Sequence, residues 1–333
     1  MRYSHRFFLY APVAAFIAVF ALAGAYWWVA AGTFFKALDA ANGQELAPGV
    51  TLHFASHQDG GFPFRIETLM QNARLEVATS YGPLTWSTEQ LAMHALTYGR
   101  DQIIYEAAGK QTLSWTDSEH AHHVWTFVPG SLRASSIVVN GALARFDMDI
   151  VGIGSPELSA GGAQIHIRRD PSKHAIDIFF SGDAVHLSGP LQSGFGDTIK
   201  TLRVGGSFVP GASLAPLLGG KADWRSAFEA WRAAGGKLGI DRFELAWGKL
   251  DAGGTGTLAL DSLHRPQGAL ALKLANYPEF LATAKASPDT PLASALLADR
   301  EPANPPTLAL ALTFKNGTVT AGATAAGTVN PLY

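Results

Sequence analysis

QIHIRRDPSKHAIDIFF, residues Gln164 to Phe180, holds the period on which the fold turns. Ile165 and Ile167 alternate with His166 and Arg168, and Ile176 and Ile178 flank Asp177, the period of two that a strand with one apolar and one polar face requires. Between the two runs, Arg169 to His174 supplies proline and polar turn formers. Residues Gln164–Arg168 and Ala175–Phe180 are therefore expected to pair as an antiparallel hairpin.

The same period recurs along the chain. Phe146, Met148 and Ile150 alternate with Asp147 and Asp149, and roughly a dozen or more such strands are expected. In TLALALTF, Leu308, Leu310, Leu312 and Phe314 share one face, and Thr307, Ala309, Ala311 and Thr313 share the other. GALALKLA repeats the pattern, with Leu270, Leu272 and Leu274 set against Ala269, Ala271 and Lys273, and TLALD sets Leu258 and Leu260 against Thr257 and Ala259. Alanine is a poor strand former in water, so the alanine face calls for a cover. Two readings follow: a helix lies on it, or the sheet curls into a groove in which Ala269, Ala271, Ala309 and Ala311 line a site for an apolar ligand. Helices are few. Asp223 can cap a segment whose Trp224, Ala227, Phe228 and Trp231 share a face, ended by Gly235-Gly236; at that spacing the aromatics read as core or, alternatively, as a membrane-docking face. Tyr277–Ala286 and Pro291–Arg300 are shorter candidates, followed by the Pro-rich connection Asp299 to Pro306. Asn316-Gly317 reads as a tight hairpin turn.

Composition narrows the partners. Of 333 residues, 16% are charged and 47% hydrophobic, which suits a folded chain with a lightly charged surface. The net charge is −2, and because Arg2, Arg6 and Lys36 are the charges of the first 36 residues, the remainder carries −2 − 3 = −5. No basic cluster suits a nucleic acid. With no cysteine, thiol chemistry, disulfides and cysteine-ligated metals are excluded.

Phe7 to Phe35 contains no charged residue. A hydrocarbon core of roughly 30 Å needs about 20 helical residues, so this run is expected to cross a membrane. Arg2 and Arg6 before it place the N-terminus in the cytoplasm, and Tyr26, Trp27 and Trp28 suit the far interface. The rival reading is a cleaved signal peptide at Ala21-Leu22-Ala23 or Ala23-Gly24-Ala25. Either way, residues 37–333 lie outside the cytoplasm. The expected organisation is a cytoplasmic tip and anchor over residues 1–36 and a periplasmic β-rich domain over residues 37–333, with a division into two β units near 210–236.

GGFPFRIE, Gly60 to Glu67, reads as a device for entering a strand. Gly60 and Gly61 permit positive φ, Pro63 fixes its own φ and extends Phe62, and Phe62, Phe64 and Ile66 are expected to face the core. Arg65 then faces away, as a structural ion-pair partner or a contact for an anionic lipid headgroup.

The charged-then-apolar start, GGFPFR, the late GTLALDSLHRPQGALALKL of Gly256 to Leu274 and the closing FKNGTVTAG of Phe314 to Gly322 together resemble an uncharacterised family of bacterial inner-membrane-anchored proteins, a domain of unknown function. The layout is also similar to AsmA-like envelope proteins, which implies a periplasmic β-rich part associated with lipid traffic and envelope homeostasis. The family implies no catalytic residues.

Chemistry is sparse. There is no G-x-S-x-G, no phosphate-binding loop and no H-E-x-x-H. DSEHAHH, Asp117 to His123, is the best set of metal ligands, but on a strand only His120 and His122 share a face; a solvated hairpin loop is the ordinary reading, and no metal or other cofactor is expected. Asp147 and Asp149 share a strand face, as an acid–base pair or any solvent-facing strand would. The fold class expected is therefore mainly β with a few helices: an extended antiparallel sheet, able to curl into a groove, behind one N-terminal transmembrane helix. The expected role is non-enzymatic binding of lipid or another envelope component at the inner membrane. An envelope scaffold without a small ligand and an enzyme acting on glycans or lipids are the alternatives.

Overall fold

The computed structural model describes residues 5–97, 101–188, 196–276 and 307–333. Helix α1, His5–Ala41, leads into β1 Glu45–Ala47, β2 Val50–His53, β3 Ser56–Gly60, β4 Arg65–Thr79, β5 Gly82–Leu96, β6 Gln102–Thr116, β7 His122–Val139, β8 Ala142–Gly154, β9 Leu158–Asp170, β10 Ala175–Leu187 and β11 Thr198–Val209. A helical segment follows, made of a 3-10 turn Gly211–Leu214, α2 Ala215–Leu218 and α3 Trp224–Ala233. Strands β12 Lys237–Trp247, β13 Leu250–Leu260, β14 Pro266–Ala275, β15 Thr307–Lys315, β16 Thr318–Ala321 and β17 Thr324–Thr328 complete the chain. The helix candidates at 277–286 and 291–300 and the connection 299–306 lie outside the described residues.

The fold is mainly β. From β4 to β17 each strand pairs antiparallel with the next. On the other side of β4, β3 pairs with its first half (Gly60 opposite Glu67) and β2 with its second (Val50 opposite Val77), and β1 pairs with β2. The result is one open meander of seventeen strands among the described residues. The opening hairpin forms as expected, with Ile178 opposite Ile167 and Asp177 opposite Arg168. Its turn is organised by Asp170, which accepts from the Ser172 hydroxyl and from the amides of Ser172 and Lys173, and these bonds draw the carboxyl down to about 2. Asn316 and Gly317 turn the β15–β16 hairpin with φ of 53° and 78°. The helical segment at 211–233 does not interrupt the sheet, because β11 pairs directly with β12, Phe208 opposite Leu238.

Directly opposed residues share a face, so the registers define the two surfaces of the sheet. One row runs Met70, Leu91, Ala107, Leu132, Ile150, Ala163, Gly182, Leu202, Leu245, Ala252, Leu274, Leu308 from β4 to β15. Every member is apolar. The opposite face carries ion pairs: Arg133 with Glu106 at 3.2 Å, Arg203 with Glu244 at 3.4 Å and Arg242 with Glu244 at 3.3 Å.

Among the described residues, helices cover the apolar face at two places, and Leu250, Leu274, Leu308, Leu310 and Ala321 form a separate buried cluster at its β13–β16 end. The second half of α1 packs on it, with Leu38 among Leu52, Phe54, Met70, Leu91, Ala107 and Leu132, and Ala30 and Ala31 against Ile66. At about 1.5 Å per residue a 37-residue helix is roughly 55 Å long, far more than a bilayer core needs; it runs through position 36 without a break. The second cover is α3, capped by Asp223, whose side chain accepts from the Ser226 amide at 3.0 Å. Its Ala227 and Trp231 are buried against Ile176, Leu214, Phe208 and Leu238. Trp231 is core and Phe228 packs against it, whereas Trp224 lies outside this cluster, and the helix lies on the leucine face of the sheet, not on the alanine face.

The same helix shows how far the sheet curls. Trp231 stacks edge-on against Phe208 of β11, with centroids 5.5 Å apart, while Trp224 Nε1 donates to the Ala78 carbonyl of β4 at 2.9 Å. In a flat sheet seven strand spacings would hold β4 and β11 about 33 Å apart. Seven helical residues span only about 10 Å. The sheet is therefore bent around the apolar face, which is concave.

Candidate functional site

Two features stand out: the hairpin tip at GGFPFR and the concave apolar face beside it. The tip joins β3 to β4. Gly61 has a φ of +94°, and a Cβ there would fall 2.5 Å from the Arg65 carbonyl oxygen, so only glycine closes this turn; Gly60, by contrast, ends β3 and is not in the positive-φ region. The strand begins at Arg65, after the Phe62–Phe64 turn, rather than at Pro63. Ile66 is buried, as expected, but Phe62 and Phe64 are 54% and 60% exposed and do not enter the core. The reason lies outside the strand. Phe62 packs edge-on against Phe20 and Trp27 of α1, with centroids 6.1 and 5.3 Å away.

Further bonds tie the helix to the tip. Trp27 Nε1 donates to the Arg65 carbonyl at 2.5 Å, and the Tyr26 hydroxyl donates to the Thr97 carbonyl at 3.2 Å. Thr97 in turn donates its hydroxyl to the Phe64 carbonyl at 3.0 Å. The Arg65 guanidinium is 61% exposed and pairs with Glu67 at 3.1 Å. Further along α1, His57 of β3 bridges Asp39 at 2.9 Å and Asp59 at 2.7 Å. Burial pulls the His57 imidazole down, but the two carboxylates outweigh it and hold its pKa above the usual histidine value.

Away from both covers, the concave face continues through Met148, Ile165, Phe180, Val204 and Phe243, which lie opposite one another on β8 to β12. Met148, Ile165, Val204 and Phe243 are half-buried, and Phe180 is exposed, keeping 37% of its surface. Small residues alternate with large ones along the row: Gly254 of β13 lies opposite Phe243, and a Cβ there would fall 2.5 Å from the Leu272 side chain that folds over it. Ala269, Ala271, Ala309 and Ala311 sit on the other, convex face, where all four are exposed, with Ala271 opposite Ala311 and Lys273 opposite Ala309.

His120 sits in the β6–β7 turn with a φ of 63° and an edge-on contact to Tyr81, whereas His122 opens β7. Asp117 organises this turn by accepting from the Glu119 and Ala121 amides and pairing with His123 at 2.6 Å. No group of three or more His, Asp or Glu converges among the described residues. Asp147 is held by Arg145 and by His166 at 2.6 Å; burial raises its pKa, and these two partners outweigh that and keep it below the usual range. Asp149 accepts instead from Gln164 at 2.9 Å, so the two carboxylates have separate partners. The role of the tip was hidden from a strand-by-strand reading, and the signal that marks it is the run of aromatics Tyr26-Trp27-Trp28 at the end of the apolar helix, which demands a nearby hydrogen-bond acceptor.

Residues 27–330 match the profile of an uncharacterised protein family conserved in bacteria, DUF2125. The chain belongs to this family. The resemblance carried by GGFPFR and the late leucine–alanine strands is thus the correct one, and the DUF2125 match opens at Trp27, where α1 turns from exposed to packed on the sheet. A comparison with curated proteins finds no match.

Proposed function

We propose that this DUF2125 chain is a single-pass inner-membrane protein whose concave apolar face, on the periplasmic side, receives the acyl chains of a lipid. The observation that carries this reading is the unbroken apolar row from Met70 to Leu308, with Val204 and Phe243 left half-buried and Phe180 exposed between the two helical covers. Half-buried phenylalanines and leucines gain about 25 cal/mol for each Å² of apolar surface removed from water. An acyl chain supplies that surface without needing a polar partner. α1 supports the membrane side of the proposal: its Tyr10–Ala41 stretch is long and apolar enough to cross a bilayer, with Arg2 and Arg6 before it on the cytoplasmic side. A span of about 20 residues ends near Tyr26, and the helix then packs on the concave face through Ala30 and Ala31 and further on through Leu38, so the groove starts close to the membrane.

A photo-reactive amino acid at position 180 tests the reading, with a second at position 271 on the convex face as the control. Irradiation in membranes should attach lipid to position 180 and not to position 271. A single protein adduct at position 180 would instead favour the scaffold reading, and equal, unselective labelling at both positions would sink the groove.

A further inference from the structure

We propose that the Gly60–Arg65 tip is a second membrane element that dips into the outer leaflet beside α1, with Phe62 and Phe64 among the acyl chains and Arg65 at the phosphates. The inference rests on α1 crossing the bilayer, and the depth follows from that helix. A span of about 20 residues starting after Arg6 ends near Tyr26. At about 1.5 Å per residue, Gly24 then lies roughly 3 Å and Phe20 roughly 9 Å inside the hydrocarbon boundary. Phe62 touches both: its ring lies 3.5 Å from the position a Gly24 Cβ would occupy and 6.1 Å, centroid to centroid, from Phe20. Sliding the span toward the C-terminus only drives the ring deeper.

The tip is built for that environment. An unsatisfied backbone polar group is costly in hydrocarbon, and the tip answers several of its own: the Arg65 amide donates to the Gly61 carbonyl at 2.8 Å, the Phe64 carbonyl accepts from Thr97, the Arg65 carbonyl accepts from Trp27, and Pro63 has no amide hydrogen. Tyr26 and Trp27 spend their polar atoms on the tip and on Thr97, in the manner of interfacial aromatics. Exposed apolar side chains continue around the tip, with Leu96 at 38% on the strand opposite Arg65 and Ile104 at 41% beside it. Arg65 sits where its stem can run along apolar surface while its guanidinium reaches a phosphate.

Because the chain has no cysteine, single thiols report cleanly. Phe64→Cys in the full chain, spin-labelled and reconstituted in vesicles of phosphatidylethanolamine and phosphatidylglycerol, should collide with oxygen in preference to a water-soluble nickel chelate. Phe16→Cys on α1 sets the lipid standard and Leu263→Cys, in the β13–β14 loop, the water standard. Leu96→Cys carries the same test if Phe64→Cys does not fold, and is expected to show several-fold less chelate collision than Leu263→Cys. A water-like label at the tip beside a lipid-like label at Phe16 overturns the wedge and leaves the anchor standing. Water-like labels at both positions overturn the anchor and the wedge together.

Discussion

Trp27 of α1 donates its indole hydrogen to the backbone carbonyl of Arg65, 2.5 Å away at the first residue of β4. The bond couples the long apolar helix to the most recognisable turn in the sequence. It ties α1 to the sheet at this point, and the Tyr26 to Thr97 bond repeats the link one strand over. Trp27→Phe keeps an aromatic ring against Phe62 while removing the donor and part of the indole, so the lost bond should cost about 1 kcal/mol and the smaller ring somewhat more. Arg65→Ala should cost less, because its pair with Glu67 is exposed. Urea midpoints of the two variants in detergent check the order.

The buried end of α1 makes a second, apolar attachment. Leu38 lies among Met70, Leu91, Ala107 and Leu132. Leu38→Ala should lower stability by about 2–4 kcal/mol through the cavity it leaves, and protease cleavage after residue 41 should become faster. Lys36→Ala, two residues away and exposed, should do neither.

His57 gives the attachment a pH dependence. Its folded pKa is raised above the unfolded value of about 6.5, so the protonated, doubly paired form stabilises the fold fully below about pH 6.5, and that contribution is lost as the pH rises through the folded value. Asp39 lies on α1 and Asp59 on β3, so the loss is felt at the junction of helix and sheet. Wild-type denaturation midpoints should fall between about pH 6 and about pH 8.5, and His57→Gln should flatten that slope. An unchanged slope in the variant would assign the pH dependence to another group.

The groove proposal separates two faces of the same strands. Val204→Asp places a charge on the concave face and should abolish co-purifying lipid, whereas Ala271→Asp on the convex face should leave it intact. Mass spectrometry of extracts from both purified variants, with circular dichroism to confirm the sheet, makes the comparison.

Asp223→Ala removes the cap of α3 and should cost about 1 kcal/mol. Trp224→Phe deletes the bond to Ala78 that spans the curl. Both should loosen the same junction, so amide exchange at the end of β4 should quicken in each.

The alternation of large and polar residues was enough to define the strands, the hairpin at Ile167 and Ile178, the turn at Asn316-Gly317 and the helix that Asp223 caps, because each depends on neighbours a few residues apart. Charge-free Phe7 to Phe35 likewise marked a membrane-length helix by length and composition alone. The period of two names two faces but not which is concave. That was decided by contacts between distant residues: Trp224 with Ala78, which bends the sheet around its leucines, and Leu38 with Met70, which brings the helix onto them. The alanines of β14 and β15 were left outside as a result. The same holds for GGFPFR, whose glycine was legible as a turn, while the direction of Phe62 was fixed only by Phe20 and Trp27 on a helix that no local rule places beside it.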